Sequence, residues 1–422
     1  MIHKTNYTWI PSLGQAVALL GVLFHWNALA DPYSVSKYAI IAALCLAYAC
    51  TASPKFGHLT IIGFFYMVVL IGVSALAFKS VCFVGKKLNY FTGVLPCALI
   101  AICYHYSIDD RWERIANAYV LACVVASVVA IAQAYGWFMP QGDFFDGRVY
   151  AVVGSPVFLS GTLAMAIPLC FGQRYAIIAI PILLTAIIFT QSRSGLVASM
   201  AGVIGYGYHR GLIGAKGGAF LAGVAVLMVS FMFSGLRNTA KSDMGRYHMA
   251  RVAAKTVMDH PMGIGPERFA WAMEKYRDAA LDRDMGDKFT NSYAHNHLIE
   301  SLVSGGPLFL AVHIGLMAIT GLFLFRFGSS SVFGAAMALC AFGLMQPTPL
   351  AMKCVLASIL GGLEPNPRPL LKAPFVLAAC AVFIASISAI TCAKIFQDGL
   401  NTGLAEISVG AFDYQRSAIG DQ

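Results

Sequence analysis

The amino-acid sequence predicts an all-α polytopic membrane protein, and three properties of the chain support this fold class. Of its 422 residues, 58% are hydrophobic and only 12% are charged, whereas a soluble protein carries about 25% charged residues. The mean hydropathy is +0.71. The apolar residues are gathered into runs that approach the ~20 residues with which one helix crosses a bilayer. This composition excludes a disordered chain and a soluble enzyme.

Thirteen apolar runs are candidate transmembrane helices. The twelfth run is short and contains Lys353, so it is a full span, a half-helix or a re-entrant segment, and about 12 spans (12–13) are expected. The first run is interpreted as a membrane helix rather than a cleavable signal peptide, because another span follows it at once. The runs lie near residues 13–30, 36–52, 58–77, 89–106, 115–138, 152–172, 175–191, 195–208, 217–236, 298–325, 330–347, 349–363 and 372–394.

The basic residues predict the orientation of these spans. The net charge of +9 comes from 29 Lys and Arg against 20 Asp and Glu. Many of the basic residues flank apolar runs on alternate connections, as cytoplasmic loops do. The opposite side then receives the loops near 139–151 and 192–194 and the segment 237–296. The lipid bilayer is therefore the expected partner of this charge, and nucleic acid is not. The basic residues on the predicted cytoplasmic connections are Arg111, Arg114, Arg174, Arg210, Lys216, Arg326, Arg368 and Lys372, while Lys79, Lys86 and Lys87 depart from the scheme.

One charge-rich segment divides the chain into N-terminal helices (1–236), a long helical loop (237–296) and C-terminal helices with a short tail (297–422). Residues 237–300 hold ten Lys and Arg and nine Asp and Glu, so they cannot span a membrane. Helical periodicity predicts two amphipathic helices in the loop, the second beginning at Pro266. The turn 263–266 favours a helix break over a phosphate-binding turn. The apolar faces are Met249, Val252, Ala253 and Val257 in the first helix, and Phe269, Ala272, Met273, Tyr276 and Ala280 in the second.

Four arginines on the side of this loop are candidate functional residues. An arginine near a membrane span is costly to place and often functional. Arg148 precedes one span and Arg193 lies in a tight turn between two spans, although Arg148 could also be an interfacial anchor. Arg246 opens the first loop helix. Arg251 is a second candidate there, but five residues place it about 140° around the helix, so one of the two could be a solvated side chain.

His295 and Asn296 form the other candidate pair, at the point where the loop re-enters the membrane. A histidine can take a proton near neutral pH and can hydrogen-bond a hydroxyl group. An interfacial histidine without a chemical task is the alternative. His297 follows at i+2, but no third ligand completes a metal site, so no metal is expected. His248 has no supporting pattern, and its replacement by alanine is expected to be nearly silent.

Several arginines and a histidine on one aqueous face suggest a common anionic target. Guanidinium groups match the oxygens of a pyrophosphate, and a pyrophosphate presented at a membrane surface is normally linked to a lipid. A transporter or flippase, the alternative class, would place charges along a track near the bilayer midplane. The central spans contain almost no Asp or Glu, which favours a surface site over such a track.

These residues stand in an order that resembles the O-antigen ligase and polymerase superfamily. The resemblance covers about residues 140–325, and the flanking spans agree in character. Its motifs are Arg148 with Gly154–Ser155–Pro156, Thr190–Gln191–Ser192–Arg193–Ser194–Gly195, Arg246, His260–Pro261–Met262–Gly263–Ile264–Gly265–Pro266 with Phe269, Ala294–His295–Asn296–His297–Leu298, and Gly305–Gly306–Pro307–Leu308.

The resemblance implies a multi-pass membrane glycosyltransferase of the GT-C type in the cell inner membrane, with its active site facing the periplasm. It implies inversion at the sugar carbon, and neither a metal nor another cofactor. The donor would be a glycan linked to undecaprenyl pyrophosphate. Arg148, Arg193 and Arg246 would bind the pyrophosphate as it leaves. His295, supported by Asn296, would orient or deprotonate the acceptor hydroxyl.

The acceptor is the part that the motifs describe least. The first hypothesis is an O-antigen ligase that transfers the polymer to lipid A–core in lipopolysaccharide biosynthesis. An O-antigen polymerase or a protein O-oligosaccharyltransferase is the alternative, with a growing glycan or a Ser/Thr side chain as acceptor. The short stretch of chain after the last predicted span favours the ligase.

Overall fold

The computed structural model describes residues 12–24, 34–70, 94–137, 147–223 and 240–369, without the isolated positions 62, 64, 67, 109, 219, 220, 222, 267, 287, 288, 290, 292, 366 and 367. These parts of the chain form helices joined by turns, with one pair of two-residue strands. The elements are α1 (Leu13–Leu23), α2 (Ser34–Thr51), β1 (Lys55–Phe56), α3 (Val94–Tyr106), α4 (Trp112–Ala134), α5 (Pro156–Cys170), α6 (Ala176–Phe189), α7 (Arg193–His209), α8 (Ala240–Asp259), α9 (Phe269–Lys275), α10 (Ala279–Met285), α11 (His297–Phe327), α12 (Ser330–Gly343), α13 (Leu350–Gly362) and β2 (Arg368–Pro369).

The apolar helices are consistent with a membrane protein, as the composition predicts. Two of them, α4 and α11, are long and apolar enough to cross a bilayer by themselves, and shorter apolar helices pack around them. Large apolar side chains such as Ile177, Leu121 and Leu322 are exposed on the outside of the bundle, which suits a surface in contact with lipid. Five predicted spans lie partly outside the described residues, and the span near 372–394 lies wholly outside them. The five are those near 13–30, 58–77, 89–106, 115–138 and 217–236.

The centre of the bundle is built on close contact between α7 and α12. A Cβ atom added to Gly334 would lie 2.6 Å from the carbonyl oxygen of Gly202, so the two backbones touch. One added to Gly195 would lie 2.3 Å from the Cβ of Ser160, which brings α5 equally close to α7. Small residues permit such approach between membrane helices. This packing fixes the start of α7, where Arg193 lies, beside the end of α12.

The helices define two ends of the bundle. The site end contains the starts of α5, α7, α11 and α13 and the end of α12. At the opposite end, His209 of α7 bonds Ser330 of α12, and Glu364, just after α13, bonds Tyr104 of α3. Helix α13, with 13 residues, runs from the site end towards the opposite end.

The charge-rich loop forms a helical unit at the site end. The first predicted helix is confirmed as α8, and Met249, Val252 and Ala253 are buried on its apolar face. The second predicted helix is wrong in its start and its continuity. The helix begins at Phe269 rather than Pro266, and it divides into α9 and α10. The cause of the division is Asp278, whose side chain accepts from the Leu281 N–H and caps α10.

A break in α11 receives the turn 263–265. Gly305 and Gly306 have non-helical backbone angles, and Pro307 has no N–H to donate to the Val303 carbonyl. The Ile264 N–H donates to that carbonyl instead, at 2.9 Å, and the Gly265 N–H donates to the next carbonyl at 2.8 Å. The turn is therefore a helix break, as predicted from the sequence, and it docks the loop onto α11. The N–H groups of Ile264 and Gly265 already donate to α11, so they are not available to a phosphate.

Candidate functional site

Arg148 is held against the turn that carries Arg193. Its Nε donates to the carbonyl oxygen of Thr190 at 2.8 Å. Thr190 is the C-terminal cap of α6, and a cation is favourable at the negative end of a helix. The side chain of Gln133 in α4 accepts from the backbone N–H groups of Tyr150 and Ala151. These contacts fix the backbone next to Arg148 and place its guanidinium group near the start of α7.

Arg193 and Arg246 share one carboxylate. The Arg193 Nη2 donates to Asp243 Oδ1 at 2.7 Å, and the Arg246 Nη1 lies 3.8 Å from the same oxygen. Among the residues that the structure describes, two positive charges therefore face one negative charge. Burial lowers the pKa of Arg246, the charge of Arg193 lowers it further, and Asp243 opposes both effects. This crowding of positive charge makes the position favourable for an additional anion.

His295 lies beside this pair and is bonded to the turn after α12. Its Nδ1 lies 2.7 Å from the Oε1 of Gln346, and the Tyr293 ring packs 4.8 Å from its own ring, centroid to centroid. Burial lowers the pKa of His295 to about 4, the bond to Gln346 opposes this shift, and the charge of Arg246 adds to it. The imidazole is therefore neutral near pH 7, which is the form that can accept a proton.

Backbone strain is concentrated next to these candidates. Among the described residues, Ala151, Gln191 and His295 are the non-glycine residues with positive φ, at 45°, 51° and 52°. Ala151 lies three residues after Arg148, and Gln191 lies two residues before Arg193. Such conformations cost about 1–3 kcal/mol each and persist where the surrounding structure enforces them. The site is thus held in a geometry that the local sequence alone would not choose.

Asn296 is the N-terminal cap of α11. Its Oδ1 accepts from the N–H groups of Leu298 and Ile299, and its Nδ2 donates to the Leu344 carbonyl at 2.8 Å. The side chain therefore supports His295 through the backbone. The Glu300 carboxylate, one turn into α11, accepts from the Ala294 N–H at 2.8 Å and holds the same loop from its other side.

Two other residues of the loop have structural partners. Arg251 is not brought into the cluster, because it faces α10 and its Nη2 donates to Asp278 at 2.5 Å. His248 is 2% exposed and lies 3.0 Å from an oxygen of Asp284. The expectation that His248→Ala is nearly silent therefore needs correction. The change would open a buried position and break a bond between α8 and α10, so a loss of loop stability is expected.

Sequence reasoning missed Asp243, Gln346 and Glu300. Asp243 was one acid among many in a charged segment, and its proximity to Arg193 depends on how the loop folds back. A sequence signal existed for Gln346, which stands with Thr348 between two apolar helices and beside two prolines. Polar residues confined to such a short turn are candidates for inward hydrogen bonds. Both are buried.

The fold and this site together define a class of protein: a helical membrane protein with three half-buried arginines and a neutral histidine at one end. Residues 177–314 match the family model described as O-antigen ligase. The match covers about a third of the chain and includes Arg193, Arg246 and His295, while Arg148 and Gln346 lie outside it. This region therefore carries the O-antigen ligase family domain, and the resemblance to the superfamily is confirmed. No curated protein matches the chain.

Proposed function

We propose that the protein is an O-antigen ligase that transfers O-antigen polysaccharide from undecaprenyl pyrophosphate to lipid A–core at the periplasmic face of the inner membrane. The observation that carries the proposal is the convergence of Arg148, Arg193, Arg246 and neutral His295 at one end of an apolar bundle, three of them inside the family match. A GT-C-type enzyme that acts without a metal is the mechanistic class that fits this arrangement.

The arginines form the donor half of the proposed site. The pyrophosphate of the lipid-linked glycan binds Arg193 and Arg246, where one carboxylate leaves the positive charge uncompensated. Arg148 extends this charge from the neighbouring turn. As the glycosidic bond breaks, negative charge develops on the leaving pyrophosphate, and preorganised donors stabilise it. The guanidinium groups thus take the role that a metal ion has in other pyrophosphate chemistry.

His295 forms the acceptor half. It accepts the proton of the attacking sugar hydroxyl while that oxygen bonds to the anomeric carbon, in a single displacement that inverts the centre. A pKa of about 4 makes the free histidine a weak base. The bound pyrophosphate would offset the charge of Arg246 and raise this pKa, so donor binding would strengthen the base when it is needed.

The orientation follows from the opposite end of the bundle. Five arginines there are exposed to solvent, and basic residues at helix ends favour the cytoplasm. The site end then faces the periplasm, where a lipid-linked glycan is presented. The exposed residues are Arg111, Arg114, Arg174, Arg210 and Arg326.

The placement of the buried ionisable groups favours an enzyme over a transporter. His297 and Glu300 lie in the first turn of α11, and Lys353 lies in the first turn of α13. His313, further along α11, stacks on His297 with the ring centroids 6.2 Å apart. These four groups therefore form one cluster next to the start of α11 rather than a track through the bundle. Glu300 is engaged in holding the His295 loop.

The deciding experiment compares lipopolysaccharide and lipid-linked glycans from a strain that lacks the gene. Bare core together with polymer accumulated on undecaprenyl pyrophosphate is the result expected for a ligase. Core that carries a single repeat would replace the proposal with a polymerase. An unchanged ladder would overturn both and direct the search to a protein acceptor or to transport. Complementation with His295→Ala should fail even though the variant inserts into the membrane.

A further inference from the structure

The turn after α12 bonds to three consecutive residues at the start of α11, namely His295, Asn296 and His297. Leu344 accepts from the Asn296 side chain, Gln346 bonds His295, and Thr348 bonds the Nε2 of His297 through its hydroxyl group and its backbone N–H, at 2.7 and 3.0 Å. Three alternate positions of the turn thus hold three consecutive residues of the loop. The bond between Gln346 and His295 is one of several that join these two segments across 48 to 51 residues.

Gln346 is itself held in place. Its backbone N–H donates to the Phe342 carbonyl at 2.9 Å, which extends α12 past its end. Its side chain is almost wholly buried, so water does not compete for the amide oxygen. Gln346 therefore presents a fixed acceptor to the histidine ring.

This acceptor decides which ring nitrogen carries the proton. A carbonyl oxygen can only accept, so the Nδ1 of His295 must donate. The neutral ring then carries its lone pair on Nε2. The other tautomer would have a proton on Nε2 and could not act as a base there. We propose that Gln346 is a positioning residue that fixes His295 in the Nδ1–H tautomer, with Nε2 available for the acceptor hydroxyl. This inference rests on the proposed glycosyl transfer.

The proton and electron balance of the step then follows. The hydroxyl proton moves to Nε2 as the hydroxyl oxygen bonds to the anomeric carbon. The bond between that carbon and the pyrophosphate oxygen breaks, and its electron pair stays on the leaving lipid pyrophosphate. His295 is briefly an imidazolium whose Nδ1–H remains bonded to Gln346. It returns the Nε2 proton to water after the products separate.

The groups around His295 explain why the tautomer matters. Arg246 faces it from α8, Tyr293 packs on it from its own loop, and Glu300 of α11 holds the adjacent Ala294 N–H. With these surroundings the ring is neutral throughout the physiological pH range. The action of His295 as a base is therefore limited by the choice between its two neutral tautomers rather than by its protonation state.

The test measures transfer in proteoliposomes with purified undecaprenyl-pyrophosphate-linked glycan and lipid A–core, from pH 4 to pH 8. Gln346→Leu keeps the volume but removes the acceptor, and it should lower kcat about 10–100-fold with little change in KM, as loss of an orienting partner does. Gln346→Glu offers only acceptor oxygens, so it should keep the tautomer and remain active. Its carboxylate should also raise the pKa of His295 and shift the acid limb of the pH profile to higher pH.

Thr348→Val is the matched control, because Thr348 lies in the same turn but bonds His297. The acid limb of its pH profile should stay at the wild-type position. Wild-type kcat in Gln346→Leu, or an unshifted acid limb in Gln346→Glu, overturns the role of Gln346 while leaving the proposed function intact if His295→Ala is inactive. Full activity of His295→Ala overturns both. If Gln346→Leu fails to fold, the position of the acid limb in the pH profile of Gln346→Glu still tests the role of Gln346.

Discussion

The two ends of the bundle use buried polar groups in opposite ways. At the opposite end, the Glu364 side chain is fully buried and accepts from the His58 N–H at 2.9 Å, from the Tyr104 hydroxyl at 2.8 Å and from the His58 ring. One carboxylate there has three donors. At the site end, two guanidinium groups share one carboxylate, Asp243.

The difference separates a structural network from the one that we propose is functional. A buried carboxylate with three donors needs no further partner, and it joins α3 to the turn at His58. Two cations on one carboxylate retain an attraction for another anion. The arginines themselves show the same contrast, since Arg148, Arg193 and Arg246 are half-buried and bonded, whereas the five at the opposite end are exposed. The balance of donors and acceptors around each group therefore says more about the role of that group than the number of its ion pairs does.

The largest expected effect is on catalysis at the site end. Arg246→Ala removes a donor to the leaving pyrophosphate, and such a loss typically costs about 100–1,000-fold in rate. Arg326→Ala, at the opposite end, is the matched control and should keep nearly wild-type transfer. Both rates are measured per molecule of inserted protein. Equal rates for the two variants would remove the distinction between the ends.

The second expected effect is on stability at the opposite end. Glu364→Ala leaves the His58 N–H and the Tyr104 hydroxyl without their acceptor, at about 1–3 kcal/mol for each orphaned group. The Tm in detergent should fall, while the turnover of the remaining folded protein should stay within about twofold. Glu364→Gln, which keeps an acceptor oxygen, should lose less Tm. A large loss of turnover at unchanged Tm would show that this network reaches the site.

The smallest expected effect is on the docking of the charged loop. A Cβ at Gly306, whose φ is +69°, would lie 2.1 Å from the Pro261 carbonyl oxygen. Gly306→Ala should therefore weaken docking by about 1–3 kcal/mol, as overpacking does. This weakening is measured as faster proteolysis of residues 240–296. Gly315→Ala, in the same helix with open space around it, should leave cleavage unchanged. Equal cleavage of the two variants would contradict the docking geometry.

The sequence could predict the features that depend on local composition. Apolar runs predicted the helices, and the apolar spacing of Met249 and Val252 predicted α8. The family motifs singled out Arg148, Arg193, Arg246 and His295, which the structure places at one end. The same motifs singled out Asn296 as support for His295, but not as the N-terminal cap of α11 that the structure shows, although asparagine is a common cap.

The sequence could not predict contacts that depend on folding at long range. Asp243 meets Arg193 across 50 residues, and Gln346 meets His295 across 51. Asp243 lies in α8 of the charged loop, and His295 precedes α11 while Gln346 follows α12. Both pairs therefore depend on how the loop and the helices pack together. The contact between Gly263 and the α11 break likewise appears only when the loop docks.

The shortness of the central helices has a consequence for the surrounding lipid. Helices α5, α6, α7 and α12 contain 15, 14, 17 and 14 residues. At about 1.5 Å per residue they rise only about 21–26 Å, less than the ~30 Å thickness of bilayer hydrocarbon. The bilayer must thin beside them, or the site lies in a hollow below the headgroups. In either case the lipid-linked pyrophosphate of the proposed function would reach the arginines without lifting its tail out of hydrocarbon, and bilayer elasticity would contribute to its capture.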